Sequence, residues 1–167
     1  MSRETGAIHL VMTNSASLRL FGLLDNPADL WTRTCGDGPH NVLKMTFHPQ
    51  GLQPYISNWS SLGPAMLNRV RREAAGAPLS GSTALLNELL SYPSVPEHWK
   101  HPDWEQALSP VLSMDIHKGG LMIRLFTMIA SFGTPQDITV DELRVETFFP
   151  ADGDTEKLMQ QLASQAG

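Results

Sequence analysis

The chain has 167 residues, with 12 Lys and Arg against 17 Asp and Glu, a formal charge of −5 at neutral pH. That balance repels phosphate backbones and argues against nucleic-acid binding by these residues themselves. With 41% hydrophobic and 17% charged residues the composition is that of a globular chain, which excludes a mostly disordered or coiled-coil protein and predicts one domain, residues 1–167, with an apolar core.

Cys35 is the only cysteine, so no intrachain disulfide can form, in keeping with a reducing, cytoplasmic setting. The apolar stretch from Leu121 to Phe132 is too short for a bilayer and is interrupted by Arg124. Residues 1–9 lack the apolar region and cleavage pattern of an export signal.

In chain order, Ile8 to Met12 reads as a short strand ending at Asn14 and Ser15. A short helix with Leu18, Leu20 and Phe21 follows, capped by Ser15 or Ser17 and stopped by Gly22. The segment from Asp25 to His40, rich in Gly, Pro and Asp and holding Cys35, reads as a surface loop. From Asn41 to Pro93 the pattern is helical, with breaks at Pro49, Gly51 and Pro54. Two helices stand out there. One spans Ser61 to Ala75, with Leu62, Met66, Val70 and Ala74 on one stripe; the other spans Ser82 to Ser91, with Leu85, Leu86, Leu89 and Leu90.

After Pro110 the apolar period changes to two. Leu112, Met114 and Ile116 share one face of a strand over Val111 to His117, and Lys118-Gly119-Gly120 makes a hairpin turn. The second strand, Leu121 to Phe132, is apolar on both faces and is expected at the centre of the sheet. A third, Glu142 to Phe149, puts Leu143, Val145, Thr147 and Phe149 on one side and Glu142, Arg144, Glu146 and Phe148 on the other, one face packed and one mixed. A helix from Asp154 to Ala163 carries Leu158, Met159 and Leu162. A strand, helices and then an antiparallel meander make an α+β fold.

Candidate chemistry is sparse. His98, His101, Asp103 and Glu105 are metal-ligand types in one segment, but their spacing is not that of a metal motif, and Trp99 and Trp104 make the segment a loop that covers the core. No metal or other cofactor is expected. Cys35 and His40 share a polar loop without a third orienting group, and neither a Gly-x-Ser-x-Gly elbow nor a phosphate loop occurs, so no enzyme is expected. Gly133 to Asp137 reads as a turn, with Thr134 capping and Pro135 at the first helical position. Arg69, Arg71 and Arg72 form a solvated helix face, unless one folds inward to pair with Glu146 or to hold a ligand carboxylate through two parallel hydrogen bonds. Eight Met, six Phe and four Trp supply either a plain core or an enclosed lipophilic pocket.

Longer strings carry more. Phe47-His48-Pro49-Gln50-Gly51-Leu52, Tyr55-Ile56-Ser57-Asn58-Trp59, Arg69-Val70-Arg71-Arg72-Glu73, Leu89 to Pro96, Thr127 to Asp137 and Asp141 to Asp152 follow one another along nearly the whole chain. Together they resemble the ligand-binding domain of MmyB-like transcription regulators. The resemblance implies a PAS-like fold, in which an antiparallel sheet and a helical cap enclose an apolar pocket, lying C-terminal to an XRE-class helix-turn-helix in bacterial regulators. It also implies a lipophilic ligand such as a fatty acid, for which each methylene removed from water contributes about 0.8 kcal/mol.

These residues contain no helix-turn-helix, so DNA contact is expected only through another domain or partner, and the chain is expected to be a sensory half or a standalone sensor. Strand parity and helix stripes nominate Met45, Phe47, Ile56, Trp59, Met66, Val70, Leu86, Leu89, Met114, Phe126, Met128 and Phe148 as pocket wall, and Asn58, Arg72 and Thr127 as polar contacts. The competing expectation is a ligand-free dimerisation module in which the same apolar residues form a solid core.

Overall fold

In the computed structural model, which describes residues 10, 12–76, 81–100, 111–132 and 143–164, the first helix starts where a side chain replaces a missing backbone partner. Asn14 Oδ1 accepts from the Ser17 amide at 2.8 Å, so Asn14, rather than either serine, caps α1 (Ser15–Gly22). Apart from Leu10 and Met12, the strand expected before it lies outside the described residues.

The surface loop expected from Asp25 to His40 is instead largely a helix, α2 (Pro27–Cys35). Asn26 Oδ1 accepts from the Ala28 amide at 2.9 Å, Pro27 sits in the first turn where its missing N–H costs nothing, and Leu30, Trp31 and Thr34 are buried. Gly36, at φ 59°, follows the last turn. The Asn, Pro and Gly that suggest a loop are the helix's own start and stop signals.

Next comes α3 (Val42–Phe47), capped by Asn41, whose Oδ1 accepts from the Lys44 amide at 3.0 Å. The chain then doubles back so tightly that the Leu52 amide donates to Met45 O at 2.8 Å, and a Cβ on Gly51 would lie 2.1 Å from that oxygen. Only glycine fits there. A 3₁₀ turn (Gln53–Tyr55) leads to α4 (Trp59–Gly76) and α5 (Ser82–Leu90), which pack on each other. Pro64 lies inside α4 and cannot donate to Ser60 O; His98 Nε2, in the 3₁₀ turn Glu97–Lys100, lies 3.1 Å from that carbonyl.

The sheet is antiparallel in the order β1 (Leu112–Lys118), β2 (Leu121–Phe132), β3 (Leu143–Pro150), with β2 central as its two apolar faces require. Gly119 and Gly120, at φ 55° and 84°, make the β1–β2 hairpin. Met114 pairs with Leu125, Ile116 with Ile123, and Thr127 with Phe148. Met114, Ile116, Ile123, Leu125 and Thr127 are buried, and Ser113, His117, Met122, Arg124 and Met128 are exposed. Since side chains alternate and paired residues share a face, Glu146 and Phe148 fall on the covered side with Thr127. Of that mixed row Phe148 is half-buried and Glu146 exposed, while Val145, Thr147 and Phe149 on the other side are all exposed.

The last described helix, α6 (Gly153–Ser164), is tied down at its start. Asp152 Oδ1 accepts from the Thr155 amide at 2.8 Å, and buried Thr155 Oγ1 accepts from the Arg124 amide of β2 at 3.0 Å. This brings α6 against α1, β2 and β3. The architecture is α+β, a small antiparallel sheet with helices, as expected.

Candidate ligand site

Most of the nominated wall belongs to a close-packed core. Met45, Phe47, Ile56, Trp59, Val70, Leu89 and Met114 are buried in one continuous cluster, against which Met66 and Leu86 pack half-buried. Phe47 meets the Trp59 ring edge-on at 4.8 Å between centroids, and Trp59 Nε1 donates to Ser94 O at 2.7 Å. Asn58 acts as a structural clamp: its Nδ2 donates to Ser113 O at 2.9 Å and its Oδ1 accepts from the Asp115 amide at 3.0 Å, which extends the β1 ladder onto the start of α4. Phe126 and Met128 lie on the opposite face of the sheet from Thr127, Phe126 stacked on Phe149 at 5.2 Å and Met128 half exposed. These two residues cannot wall the same space as Thr127 and Phe148.

Space opens instead at the β3 edge. A cavity of about 210 Å³ lies between α1, α6 and β3, partly open to solvent. Its walls are Asn14, Ala16, Ser17 and Leu20 from α1 and its cap, Val145, Glu146, Thr147 and Phe148 from β3, and Met159 and Leu162 from α6. Phe148 closes one side through an edge-to-face contact with Phe21 of α1 at 6.2 Å. Of the nominated residues, Phe148 lines this cavity and Thr127 is its cross-strand neighbour. The α1 and α6 walls carry no functional signature in sequence. Glu146 does, as a carboxylate in the row of Phe148 on the covered face.

Charge gathers at that residue. Glu146 is exposed by surface area yet enclosed by protein on most sides, and this desolvation pushes its carboxyl up from the usual carboxylate range, while the positive charge of Arg69 pulls it down. Arg69 is the arginine of α4 that turns inward: it is half-buried, whereas Arg71 and Arg72 are exposed, Arg71 lying over the Trp99 ring at 5.9 Å. Arg69 Nη1 is buried and makes no hydrogen bond among the described residues. The nominated contact Arg72 thus sits on the solvated face, and its neighbour Arg69 holds the inner position.

The other candidates resolve structurally. Cys35 is half-buried and accepts from the Asn41 amide through Sγ at 3.4 Å, while His40 stacks flat on Trp31 at 4.5 Å. Among the described residues no three His, Cys, Asp or Glu side chains are grouped to hold a metal; His101, Asp103, Glu105 and the 133–137 turn lie outside them. No helix among the described residues is long and apolar enough to cross a membrane.

No curated protein and no solved structure matches the chain. A family model does, over residues 5–162, and it spans both the packed helices and the β3 edge. Its breadth accounts for why the marker strings hold structural devices, Gly51 in the α3 turn, Asn58 on β1 and Asp152 at α6, as well as the cavity wall. The chain belongs to the MmyB-like transcription regulator ligand binding domain family.

Proposed function

We propose that residues 1–167 form one sensory domain of a bacterial, XRE-class transcription regulator that binds a lipophilic, fatty-acid-like molecule in the cytoplasm and biases an attached or partner DNA-binding domain. No reaction is catalysed in this reading. The observation that carries it is the cavity between α1, α6 and β3, in which apolar Leu20, Phe148, Met159 and Leu162 face the space together with polar Asn14, Ser17, Glu146 and Thr147. At about 210 Å³ it is smaller than the ~300–1,000 Å³ usual for drug-sized ligands. An acyl chain would therefore enter by parting α1 and α6 from β3. Such a ligand has different affinities for the closed and parted arrangements, which is the requirement for shifting a conformational equilibrium. The packed residues Met45, Phe47, Trp59, Val70 and Leu89 then serve as the rigid base, with Phe148 and Thr127 nearest the ligand.

Native mass spectrometry of freshly purified protein, followed by organic extraction, tests this. The expected result is a stoichiometric lipophilic molecule, or a rise in Tm with added acyl compounds. A second reading, a ligand-free dimerisation module, is favoured by the exposed apolar outer face of the sheet, where Met122, Met128, Val145 and Phe149 are all at least one-third exposed. It requires clean protein, no thermal response to any acyl compound, and a dimer in analytical ultracentrifugation.

A further inference from the structure

The turn that follows α3 is closed by a titratable side chain. The Gly51 amide donates to His48 O at 2.8 Å, which makes residues 48–51 a β-turn with Pro49 in its second position. The turn itself offers no backbone acceptor to the amide of its third residue, and the Gln50 amide donates instead to His48 Nδ1 at 3.1 Å. An imidazole nitrogen accepts only when it carries no proton, so this geometry requires a neutral ring with its hydrogen on Nε2. The ring stands edge-on to Tyr92 at 5.3 Å.

The chain leaving this turn ties the helices to the sheet. The Leu52 amide donates to Met45 O, Ile56 forms a bridge with Ile116 of β1, and the Ser57 amide donates to Asp115 O at 2.8 Å. We propose that His48 is a proton-operated latch on this segment, separate from the cavity between α1, α6 and β3: neutral, its Nδ1 holds the 48–51 turn closed, and protonated, it becomes a second donor facing the Gln50 N–H and releases the turn. Acid then loosens the joint between the helical layer and β1.

Charged groups from three helices surround the latch. Arg33 of α2 donates through Nε to Gln50 O at 3.4 Å and pairs with Asp25. Glu88 of α5 accepts from the Tyr92 hydroxyl at 3.3 Å and pairs with Lys44 of α3 at 2.7 Å, while Cys35 of α2 acts on Tyr92. Burial first, and then the positive charge of Arg33, hold the His48 ring below the usual imidazole range, with Glu88 opposing them. As pH falls the unfolded chain takes up this proton first. The stability linked to His48 is therefore complete above the unfolded value of ~6.5 and is lost as pH falls through the folded value.

The test uses the full chain without ligand, as wild type, H48N and H48F. Asn places an oxygen where Nδ1 stands and can accept from the amide two residues on, but does not titrate; Phe keeps a ring against Tyr92 and accepts nothing. At pH 7.5 the Gln50 amide is expected to exchange with solvent at the wild-type rate in H48N and several-fold faster in H48F. Urea midpoints measured from pH 8 to pH 4.5 should run parallel for wild type and H48N near pH 8, with H48N pulling above wild type below pH ~6.5. Long-range proton–nitrogen NMR of the wild-type ring, which stands even if a variant fails to fold, should show the hydrogen on Nε2 and a titration below ~6.5. A ring protonated on Nδ1 at neutral pH, a Gln50 amide that exchanges equally in wild type and H48F, or a gap between wild type and H48N that stays constant with pH overturns the latch.

Discussion

The helical core and the β3 edge are built from similar apolar residues and differ in how completely they close. Around α3, α4 and α5 the large side chains Phe47, Leu67 and Leu89 are fully buried, and the polar atoms among them have protein partners: Trp59 Nε1 on Ser94 O, Asn68 Nδ2 on Pro64 O at 2.9 Å and on Trp99 O at 2.6 Å. At the β3 edge Val145, Glu146 and Thr147 are exposed, and a cavity separates the strand from α1 and α6. A sensor needs both. In the proposed reading the first region supplies a fold that does not depend on ligand, and the second a place where occupancy would change packing.

The largest effect that separates them is in the core. Phe47→Ala is expected to cost about 3–5 kcal/mol, because the removed ring leaves a cavity that neighbours fill only in part. Urea denaturation reads this as a lower midpoint, and the rise in Tm with added acyl compounds should persist in whatever protein remains folded. Gly51→Ala follows, at about 1–3 kcal/mol, since the added methyl must push back Met45 O, a backbone atom already engaged with Leu52. A wild-type midpoint for G51A would mean that the α3 turn opens without cost.

Legibility in the sequence follows the same division. The sheet was readable almost to the residue, because period-two patterning, the Lys118-Gly119-Gly120 turn and the doubly apolar β2 are local signals of a pleated, hydrogen-bonded ladder. Helices α4 and α5 were readable from their stripes. Helix α2 was not, because Asn26, Pro27 and Gly36 mean loop or helix boundary depending on whether Leu30 and Trp31 find a core to enter, and that is tertiary information. The cavity was the least legible part. An apolar inventory nominates the residues that pack best, such as Phe47 and Leu89, whereas a cavity forms where α1, α6 and β3 fail to meet, and no periodicity reports on that. Of the cavity's walls the sequence singles out only Phe148, as apolar wall, and Glu146, as a partner for an inward arginine.

Smaller effects sharpen the contrast at the edge itself. Asn14→Ala removes the α1 cap and is expected to cost about 1 kcal/mol, with the loss appearing as earlier hydrogen exchange in α1 than in α4. Ala16→Leu adds bulk into the cavity and is expected to change stability by at most about 1 kcal/mol, in the stabilising direction usual for cavity filling. Its main consequence is functional: decanoate should no longer raise Tm. Retained ligand response in A16L would move the site away from the α1 wall.

At neutral pH the smallest effects come from two titrating groups, one in each region, and they act in different pH windows. Tyr92, beside the core with its ring edge-on to His48 at 5.3 Å, is pushed up to about 12 by burial first and then by Glu88, to whose Oε1 its hydroxyl donates at 3.3 Å. An unfolded tyrosine titrates near 10. The stability linked to Tyr92 is thus complete below pH ~10 and is lost as pH rises toward the folded value, because the unfolded chain gives up the proton first. Glu146 is also raised, by burial, so the same sign holds from a lower start: its contribution is complete below the unfolded value of ~4.3 and is lost as pH rises through the folded value. By neutral pH, therefore, only the β3 edge carries this cost. Denaturation midpoints measured from pH 4 to 11 should show E146Q gaining on wild type between acid and neutral pH and then running parallel to it, while Y92F runs parallel to wild type until about pH 10 and gains only above it. A gain for Y92F below pH 8 would place strain in the core that its packing does not show, and no gain for E146Q would mean that Arg69 already neutralises the edge without a ligand.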